Sequence, residues 1–203
     1  MDFKPKFDAS KTFNAQYYAT SCGSPLERNG AWLGHFNRIA EQISTRIRPK
    51  TALDAGCAWG FLVEGLRIHS IEAWGVDISE YAIQQVLPAF RPYCWAGSLT
   101  EPLPRRYDLI VTIEVFEHLL PEQSDAAIAN LCAASNDILF SSTPENKTEA
   151  THFNVRSAAD WVGAFARHGF KQAEFDASFI TKWAMRFVRS PCKNTGIECS
   201  RSQ

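Results

Sequence analysis

Short apolar stretches rich in β-branched residues alternate with helical patterns along most of the chain. The four clearest stretches are Thr51–Asp54, Ala73–Asp77, Tyr107–Ile113 and Asp137–Ser141. A strand that is apolar on both faces is typical of a parallel sheet buried between two layers. Because strands that alternate with helices pair in parallel, the sequence predicts an α/β fold, with a mostly parallel sheet covered by helices on both faces.

The segments between these stretches have the three- and four-residue apolar spacing of amphipathic helices. Pro49 ends the first helix, and Gly169 follows the last one at a position where helices often end. The predicted helices are Trp32–Ile47, Phe61–Leu66, Ser79–Val86, Gln123–Ala134 and Ala158–His168. Near the C-terminus, Phe175–Ile180 and Trp183–Val188 are predicted as two strands, or as one strand and an extended arm.

Length and charge restrict the class of protein. The chain has 203 residues, 45% of them hydrophobic, and a formal net charge of −1. This length suits one domain, and near-neutrality argues against a broad basic face that grips nucleic acid. The opening residues lack the apolar segment of a secretory leader, and no apolar stretch approaches the roughly eighteen residues of a membrane span. We therefore expect a cytoplasmic protein.

The chain divides into three parts on these patterns. Residues 1–48 form an N-terminal arm and helix, residues 49–190 form the main domain, and the polar residues 191–203 are expected to be a disordered tail. The six cysteines are scattered and include no C-x-x-C pair. Reduced thiols are therefore expected rather than disulfides or a cysteine-bound metal.

A turn of small residues follows the first predicted strand, with the sequence Asp54-Ala55-Gly56-Cys57-Ala58-Trp59-Gly60. Small residues let the backbone approach a ligand, and the start of a helix offers unpaired N–H groups. Asp77 ends the second strand, where a carboxylate can accept both hydroxyls of a ribose. The turn departs from the G-x-G-x-x-G pattern of dinucleotide sites, because Trp59 would crowd a pyrophosphate. The alternative is an ordinary tight strand–helix turn.

This turn and the acid after it resemble motifs I and II of class I S-adenosylmethionine (SAM) methyltransferases. Gly97-Ser98-Leu99 falls where that family places an acid and an apolar residue around the adenine, with Ser98 in place of the usual Asp. The run Tyr107–Ile110 and the segments Glu114–Leu119, Thr143-Pro144 and His168–Phe170 match further family positions. The resemblance covers roughly residues 50–180.

The resemblance implies a Rossmann-like fold with a mostly parallel seven-stranded sheet, and SAM as the methyl donor. The cofactor-binding residues that it implies are Asp54, Gly56, Gly60, Asp77, Ile78, Ser98, Leu99 and Glu114.

A metal-binding pattern follows the strand that ends at Ile113. Glu114, Glu117 and His118 form an E-x-x-E-H sequence, and a helical turn would place them on one face. The pattern resembles ubiquinone-pathway O-methyltransferases and small-RNA 3′-terminal 2′-O-methyltransferases. In the second group another histidine completes the metal site, and His152 is its counterpart here.

The four ligands that this resemblance implies are Glu114, Glu117, His118 and His152. With two imidazoles, the set would favour Mn, Fe, Co or Zn over Mg. A bound ion would lower the pKa of an acceptor hydroxyl. We therefore predict Glu117, His118 and His152 as catalytic residues.

Simpler roles for these side chains also fit the sequence. Glu-His-Leu after this strand is common in methyltransferases of this class that use no metal. Glu117 could cap the next helix, Glu114 could hold the loop beside the cofactor, and His118 could act alone as a general base. Tyr17 and Tyr18 precede the first long helix, where they could close a lid over the cofactor or pack beneath an N-terminal arm.

The resemblance implies methylation of a hydroxyl on a small molecule or glycan. Phe-Asn-Ala-Gln-Tyr-Tyr near the N-terminus and His-Phe-Asn after the fifth family strand are similar to bacterial methyltransferases of glycan biosynthesis. One alternative is 2′-O-methylation of an RNA 3′ end, which the charge of −1 and the lack of a basic, aromatic stripe disfavour. Another is a non-catalytic SAM-binding module, which the retained glutamates and histidines disfavour.

Overall fold

The computed structural model describes residues 9–21, 25–145 and 149–191. Its strands are β1 (Thr51–Ala55), β2 (Glu72–Asp77), β3 (Cys94–Ala96), β4 (Leu109–Ile113), β5 (Asp137–Ser141), β6 (Phe170–Gln172) and β7 (Met185–Arg189). They form one seven-stranded sheet in the order β3-β2-β1-β4-β5-β7-β6. The strands β1 to β5 pair in parallel, whereas β7 is antiparallel to both of its neighbours. The predicted α/β fold and seven-stranded sheet are confirmed.

Helices cover both faces of this sheet. They are α1 (Ala9–Thr12), α2 (Ala15–Thr20), α3 (Gly30–Arg46), α4 (Phe61–Ile68), α5 (Glu80–Gln85), α6 (Ser124–Ala134) and α7 (Ala158–Arg167). Side chains alternate along each strand. Leu53 and Ile110 therefore pack in one core with α6 and α7, and Ala52 and Leu109 in another with α3 and α4.

Local sequence accounts for the main helix boundaries. The Asn29 side chain begins α3 by accepting hydrogen bonds from the N–H groups of Ala31 and Trp32, each at 3.1 Å. Ser79 begins α5 in the same way, accepting from the Ala82 N–H at 3.0 Å. Polar side chains at these positions satisfy N–H groups that have no partner inside the helix.

Of the two alternatives predicted for the C-terminal stretch, the structure has the one with a single strand, β7. Phe175–Ile180 lies in the loop between β6 and β7, and β6 itself lies upstream. The two phenylalanines of this loop pack against α3, where the Arg46 guanidinium lies 4.6 Å from the ring centre of Phe175 and 5.2 Å from that of Phe179. Phe175 also lies 4.7 Å from the Arg186 guanidinium of β7, and both rings pack against the core beneath α3, which accounts for the apolar pattern. The short β3 was not among the predicted strands.

The described cysteines lie in the core of the domain. Cys57, Cys94 and Cys132 are buried free thiols. The other three cysteines, and the predicted tail beyond residue 191, lie outside the described residues. Within the described ranges, no helix combines the length and the apolar character needed to cross a bilayer.

The N-terminal arm packs over the turn after β1 and the start of α5. The Ser79 hydroxyl donates a hydrogen bond to the Phe13 carbonyl. The ring of Tyr18 stacks on Tyr81 with 6.0 Å between ring centres, and it lies 6.3 Å from Trp59. The arm is therefore fixed to the same edge of the sheet at which β1 and β2 end.

Candidate active site

A cavity of about 630 Å³ lies at the carboxyl ends of β1, β2 and β4, beneath the N-terminal arm. Open α/β sheets bind their ligands at this edge. Asp54 and Asp77 line the cavity, and so do Glu117, His118 and His152. The fold thus brings the predicted cofactor acids and the predicted catalytic residues to one space.

The glycine turn owes its composition to close packing. Gly56 has a φ of +96°, and a Cβ placed there would lie 2.2 Å from a methyl carbon of Val115. Only glycine adopts this conformation and leaves this room. Gly60 also has a positive φ, +72°, but it begins α4 and faces Val86 and Cys94 rather than the cavity. Gly56 therefore shapes the cavity directly, whereas Gly60 shapes the turn.

Two buried acids form the cofactor end of the cavity. Asp54 is 5% exposed and Asp77 is 8% exposed. Burial, together with the nearby Asp77 carboxylate, raises the pKa of Asp54 to about 8. Burial also raises the pKa of Asp77, although its oxygens accept hydrogen bonds from the N–H groups of Ala58 and Ser79 at 2.8 and 2.9 Å.

Acids in this state fit SAM as a ligand. A buried carboxyl with a raised pKa is stabilised in its charged form by a cation or by hydroxyl donors. SAM offers both, because it carries a sulfonium, an ammonium and ribose hydroxyls.

Three further predicted cofactor residues also line the cavity: Ile78, Ser98 and Leu99. The Ser98 hydroxyl lies 2.7 Å from that of Thr100 and accepts from the Thr100 N–H at 3.1 Å. It therefore stabilises its own turn, where the family's usual Asp would present a carboxylate.

Glu114 connects three segments of the chain. Its backbone has a φ of +52°, in the left-handed region. Its carboxylate accepts hydrogen bonds from the Ser141 hydroxyl at 2.6 Å and from the Trp183 indole N–H at 2.8 Å. Glu114 lines the cavity, but the structure uses this carboxylate to hold β5 and the loop before β7 against the end of β4.

Glu117 is fully buried, with 0% exposure. Its Oε2 accepts a hydrogen bond from the Ser142 hydroxyl at 2.8 Å, while its Oε1 has no hydrogen-bond partner among the described residues. Burial and the neighbouring Glu114 raise the pKa of Glu117 to about 8. A buried oxygen without a partner costs about 1–3 kcal/mol, which is a cost that a bound cation would remove.

The partners of His118 define the state of its ring. Nδ1 lies 3.1 Å from the Thr151 carbonyl, which can only accept, so Nδ1 carries the proton. Nε2 therefore presents a lone pair, to which the Tyr17 hydroxyl donates at 3.2 Å. Burial lowers the pKa of His118 to about 4, so the imidazole is neutral at pH 7.

Glu117, His118 and His152 form a compact cluster. One ligand atom from each lies within 4.8 Å of the others, and the two imidazole centres are 4.8 Å apart. A carboxylate with two imidazoles is a donor set that suits borderline divalent metals. These three residues therefore fit a metal ion, whereas the fourth predicted ligand, Glu114, is held by Ser141 and Trp183.

The two arm tyrosines both line the cavity but make different contacts. Tyr17 reaches into the cavity and contacts His118, as a lid residue would. Tyr18 is 5% exposed and packs mainly against Trp59 and Tyr81 beneath the arm.

Sequence reasoning missed several side chains that complete the site. Ser142 and Trp183 hold the two glutamates, and Glu149 lies with its Oε2 3.2 Å from Nε2 of His152. These residues lie in irregular segments after β5 and before β7. Such segments lack the helix or strand periodicity from which side-chain positions can be predicted. The position of Glu149 three residues before His152 was the one available signal.

The sequence and the fold both match known methyltransferases. A family model described as a methyltransferase domain matches residues 27–186. A ubiquinone biosynthesis O-methyltransferase of Azoarcus sp. (strain BH72) is 26% identical over 159 residues, which is 73% of this chain and 64% of that protein. The corresponding protein of Alkalilimnicola ehrlichii is 30% identical over 111 residues, 49% of this chain and 44% of its own length. The chain thus spans less than two thirds of these curated relatives.

Solved structures with the same fold include magnesium protoporphyrin IX methyltransferase from Synechocystis PCC 6803 with bound S-adenosylhomocysteine. It superposes with a TM-score of 0.64 at 17% identity, covering 89% of this chain and 100% of that one. DesVI from Streptomyces venezuelae has a TM-score of 0.62 at 14% identity and covers 80% of this chain and 94% of its own. At these identities the likeness establishes the shared fold.

Proposed function

This chain belongs to the methyltransferase-domain family, and on that premise we propose that it transfers the methyl group of SAM to a hydroxyl of a small molecule or glycan. One observation carries the proposal. A single cavity is lined both by the buried acids Asp54 and Asp77 and by the neutral imidazole of His118. The acids suit a cationic donor, and the imidazole suits an accepting hydroxyl.

The donor end requires alignment more than activation. SAM supplies a methyl group that is already activated on a sulfonium. The tasks left to Asp54 and Asp77 are to bind the donor and fix its direction, which lowers the barrier by removing the entropy of orientation.

At the acceptor end, the hydroxyl needs a destination for its proton. The lone pair on Nε2 of His118 already accepts a hydrogen bond from a hydroxyl, that of Tyr17. In the proposed reaction, the acceptor hydroxyl takes that place. The acceptor oxygen bonds to the methyl carbon, the S–CH₃ bond breaks with its electron pair on sulfur, and the proton passes to Nε2.

A divalent ion held by Glu117, His118 and His152 is the alternative use of the same lone pair. Such an ion would lower the pKa of the acceptor hydroxyl and orient it. Removal of metal separates the two roles. Turnover that falls in excess chelator and returns with Mn²⁺ supports the metal site, whereas undiminished turnover assigns His118 the role of base.

The cavity wall supports a ring-shaped acceptor. It combines the aromatic rings of Trp32, Phe36 and Trp183 with the polar side chains of Thr143 and Glu145. Pockets of this kind bury an apolar face and fix its polar edge. No lysine or arginine is among the described residues that line the cavity, which disfavours a nucleic-acid acceptor.

Product formation tests the proposal. The chain is incubated with SAM and a panel of sugars, glycan ends, phenols and short RNA, and both S-adenosylhomocysteine and methylated product are measured by mass spectrometry. We expect product with a hydroxylated ring and none with RNA. Tight SAM binding without acceptor-dependent turnover across the panel would instead support a binding module.

A further inference from the structure

One turn of the chain, residues 149–152, reaches both histidines of the candidate metal site. The His152 backbone N–H donates to the Glu149 carbonyl at 3.0 Å, which closes the turn. The Thr151 hydroxyl donates to the Glu149 carboxylate at 2.9 Å, and the Thr151 carbonyl lies 3.1 Å from Nδ1 of His118. The Glu149 carboxylate lies 3.2 Å from Nε2 of His152.

These contacts specify the proton position on each ring. A carboxylate and a carbonyl both accept, so the nitrogen facing each of them carries the proton. Nε2 of His152 is therefore protonated toward Glu149, just as Nδ1 of His118 is protonated toward Thr151. The opposite nitrogens, Nδ1 of His152 and Nε2 of His118, hold the lone pairs that a metal requires.

We infer that Glu149 is a positioning residue of the metal site, because its carboxylate orients His152 and sets its tautomer for an ion bound by Glu117, His118 and His152. The inference rests on the metal form of the proposed function. Metal-binding histidines commonly donate their second ring N–H to a carboxylate or a carbonyl, and loss of that partner costs about 10- to 100-fold in metal affinity.

A separate observation points to an ion at this cluster. Oε1 of Glu117 lies in a residue with 0% exposure and receives no N–H or O–H donor within the described part of the chain, where its charged neighbour is the Glu114 carboxyl. Because this carboxylate belongs to the same group of ligand atoms as the two imidazoles, a cation there would satisfy the unpartnered oxygen.

Glu114, the acid that the sequence pattern places in the ligand set, has a different task. Its carboxylate is engaged by Ser141 and Trp183, at 2.6 and 2.8 Å. Two acids therefore serve the proposed metal site. Glu117 comes from the E-x-x-E-H sequence, and Glu149 comes from the segment after β5.

Titration with Co²⁺, followed by its visible absorption and by calorimetry, tests this assignment on the intact chain. Glu149→Ala is expected to weaken Co²⁺ binding about 10- to 100-fold while leaving the spectrum at saturation unchanged. Glu149→Gln keeps an oxygen that accepts the Nε2 proton, so it is expected to recover part of that loss. Glu122→Ala, which alters an exposed acid near His118 in sequence, is the control and is expected to stay within threefold of the unaltered chain.

Equal Co²⁺ affinity in Glu149→Ala would overturn the inference alone, and a changed spectrum at saturation would make Glu149 a direct ligand instead. If the unaltered chain bound no Co²⁺, both the inference and the metal form of the proposed function would fail. Methyl transfer measured in chelator would then still decide the base role of His118.

Histidine ¹⁵N–¹H correlation spectra of the metal-free chain give a readout independent of any ion. We expect His152 to be protonated on Nε2 in the unaltered chain and to populate both tautomers in Glu149→Ala. An identical His152 spectrum in the two proteins would contradict the assignment even if both fold normally.

Discussion

The two ends of the cavity are built in different ways. At the cofactor end, the Ala58 N–H meets Asp77 across 19 residues of sequence, and the Gly56 N–H meets the Val76 carbonyl at 2.8 Å. At the other end, where the methyl group would be transferred, His118 contacts Tyr17 and Thr151. These two residues are 101 and 33 positions away from it in the sequence. Pairing of neighbouring strands fixes the first end, whereas docking of distant segments fixes the second.

Function and stability are expected to depend on different ends of the cavity. The cofactor acids sit in the sheet edge itself, so changes there should affect both SAM binding and folding. The transfer end is assembled on top of that sheet, so changes there should affect turnover while the fold and the SAM affinity persist. The following predictions test that separation.

The largest effect is expected at the transfer end. His118→Asn removes the Nε2 lone pair in either proposed role, and we expect turnover to fall about 10²- to 10⁴-fold. SAM affinity, measured by calorimetry, should change less than threefold. His168→Asn, which alters a histidine that contacts Asp125 outside the cavity, is the matched control. A comparable loss of SAM affinity in His118→Asn would show that the two ends of the cavity do not act independently.

The next effect concerns the cofactor end. Asp77→Asn removes a charge that we propose binds the donor, and charge-assisted hydrogen bonds contribute about 1.5–3 kcal/mol. The SAM dissociation constant should therefore rise roughly 10- to 100-fold. Asp176→Asn, at an exposed acid in the loop before β7, controls for a simple change of charge. Unaltered SAM affinity in Asp77→Asn would refute the role of this acid.

Stability of the ligand-free chain should depend on pH through buried acids at both ends of the cavity, because the pKa of Glu117 is raised to about 8 as well as that of Asp54. Because the pKa of Asp54 is raised from 3.8 to about 8, the folded chain keeps a proton over this range that the unfolded chain loses. The free energy of unfolding therefore decreases as pH rises through that window. His118, with its pKa lowered from 6.5 to about 4, has the opposite effect, but only below pH 6.5.

Thermal unfolding followed by circular dichroism between pH 6.5 and 8 measures the combined contribution of Asp54 and Glu117, whose pKa values are both raised to about 8. We expect the melting temperature to fall with rising pH, by about 2–4 °C for each kcal/mol lost. Asp54→Asn should reduce that fall and leave the part that Glu117 contributes, and saturating SAM should reduce it as well. A melting temperature that rises over this range in the unaltered chain would contradict the assignment.

The smallest effect is expected at the acceptor wall. Trp183→Phe removes the indole N–H that donates to Glu114, a hydrogen bond of about 1 kcal/mol. The acceptor kcat/KM should fall roughly fivefold, with SAM affinity unchanged. The control is Trp74→Phe. Trp74 lies on β2, and its indole packs beneath the Arg105 guanidinium. A weaker SAM affinity in Trp183→Phe would place Trp183 at the cofactor end instead.

The sequence predicted most of the sheet because most of its strands have a recognisable local pattern of apolar residues. The stretches ending at Asp54, Asp77 and Ile113 were apolar on both faces, and each became a central strand. The stretch Phe175–Ile180 looked similar but became a loop, in which the Phe175 ring contacts the guanidinium groups of Arg46 on α3 and Arg186 on β7. Apolar patterning thus predicts burial reliably, but not whether a strand or a helix provides the covering surface.

Local sequence patterns predicted part of the candidate site, and the remainder depended on the tertiary structure. The order of strands and helices and the acids Asp54 and Asp77 were determined by local patterns, because strand ends and tight turns are set by neighbouring residues. Spacing grouped Glu114, Glu117 and His118, and the family resemblance added His152. The tertiary structure groups Glu117, His118 and His152, and gives the Glu114 carboxylate hydrogen bonds from Ser141 and Trp183. It also brought Tyr17 and Glu149 to the histidines. Such contacts depend on how distant segments dock, and the free energy of docking comes from packing that no short pattern encodes.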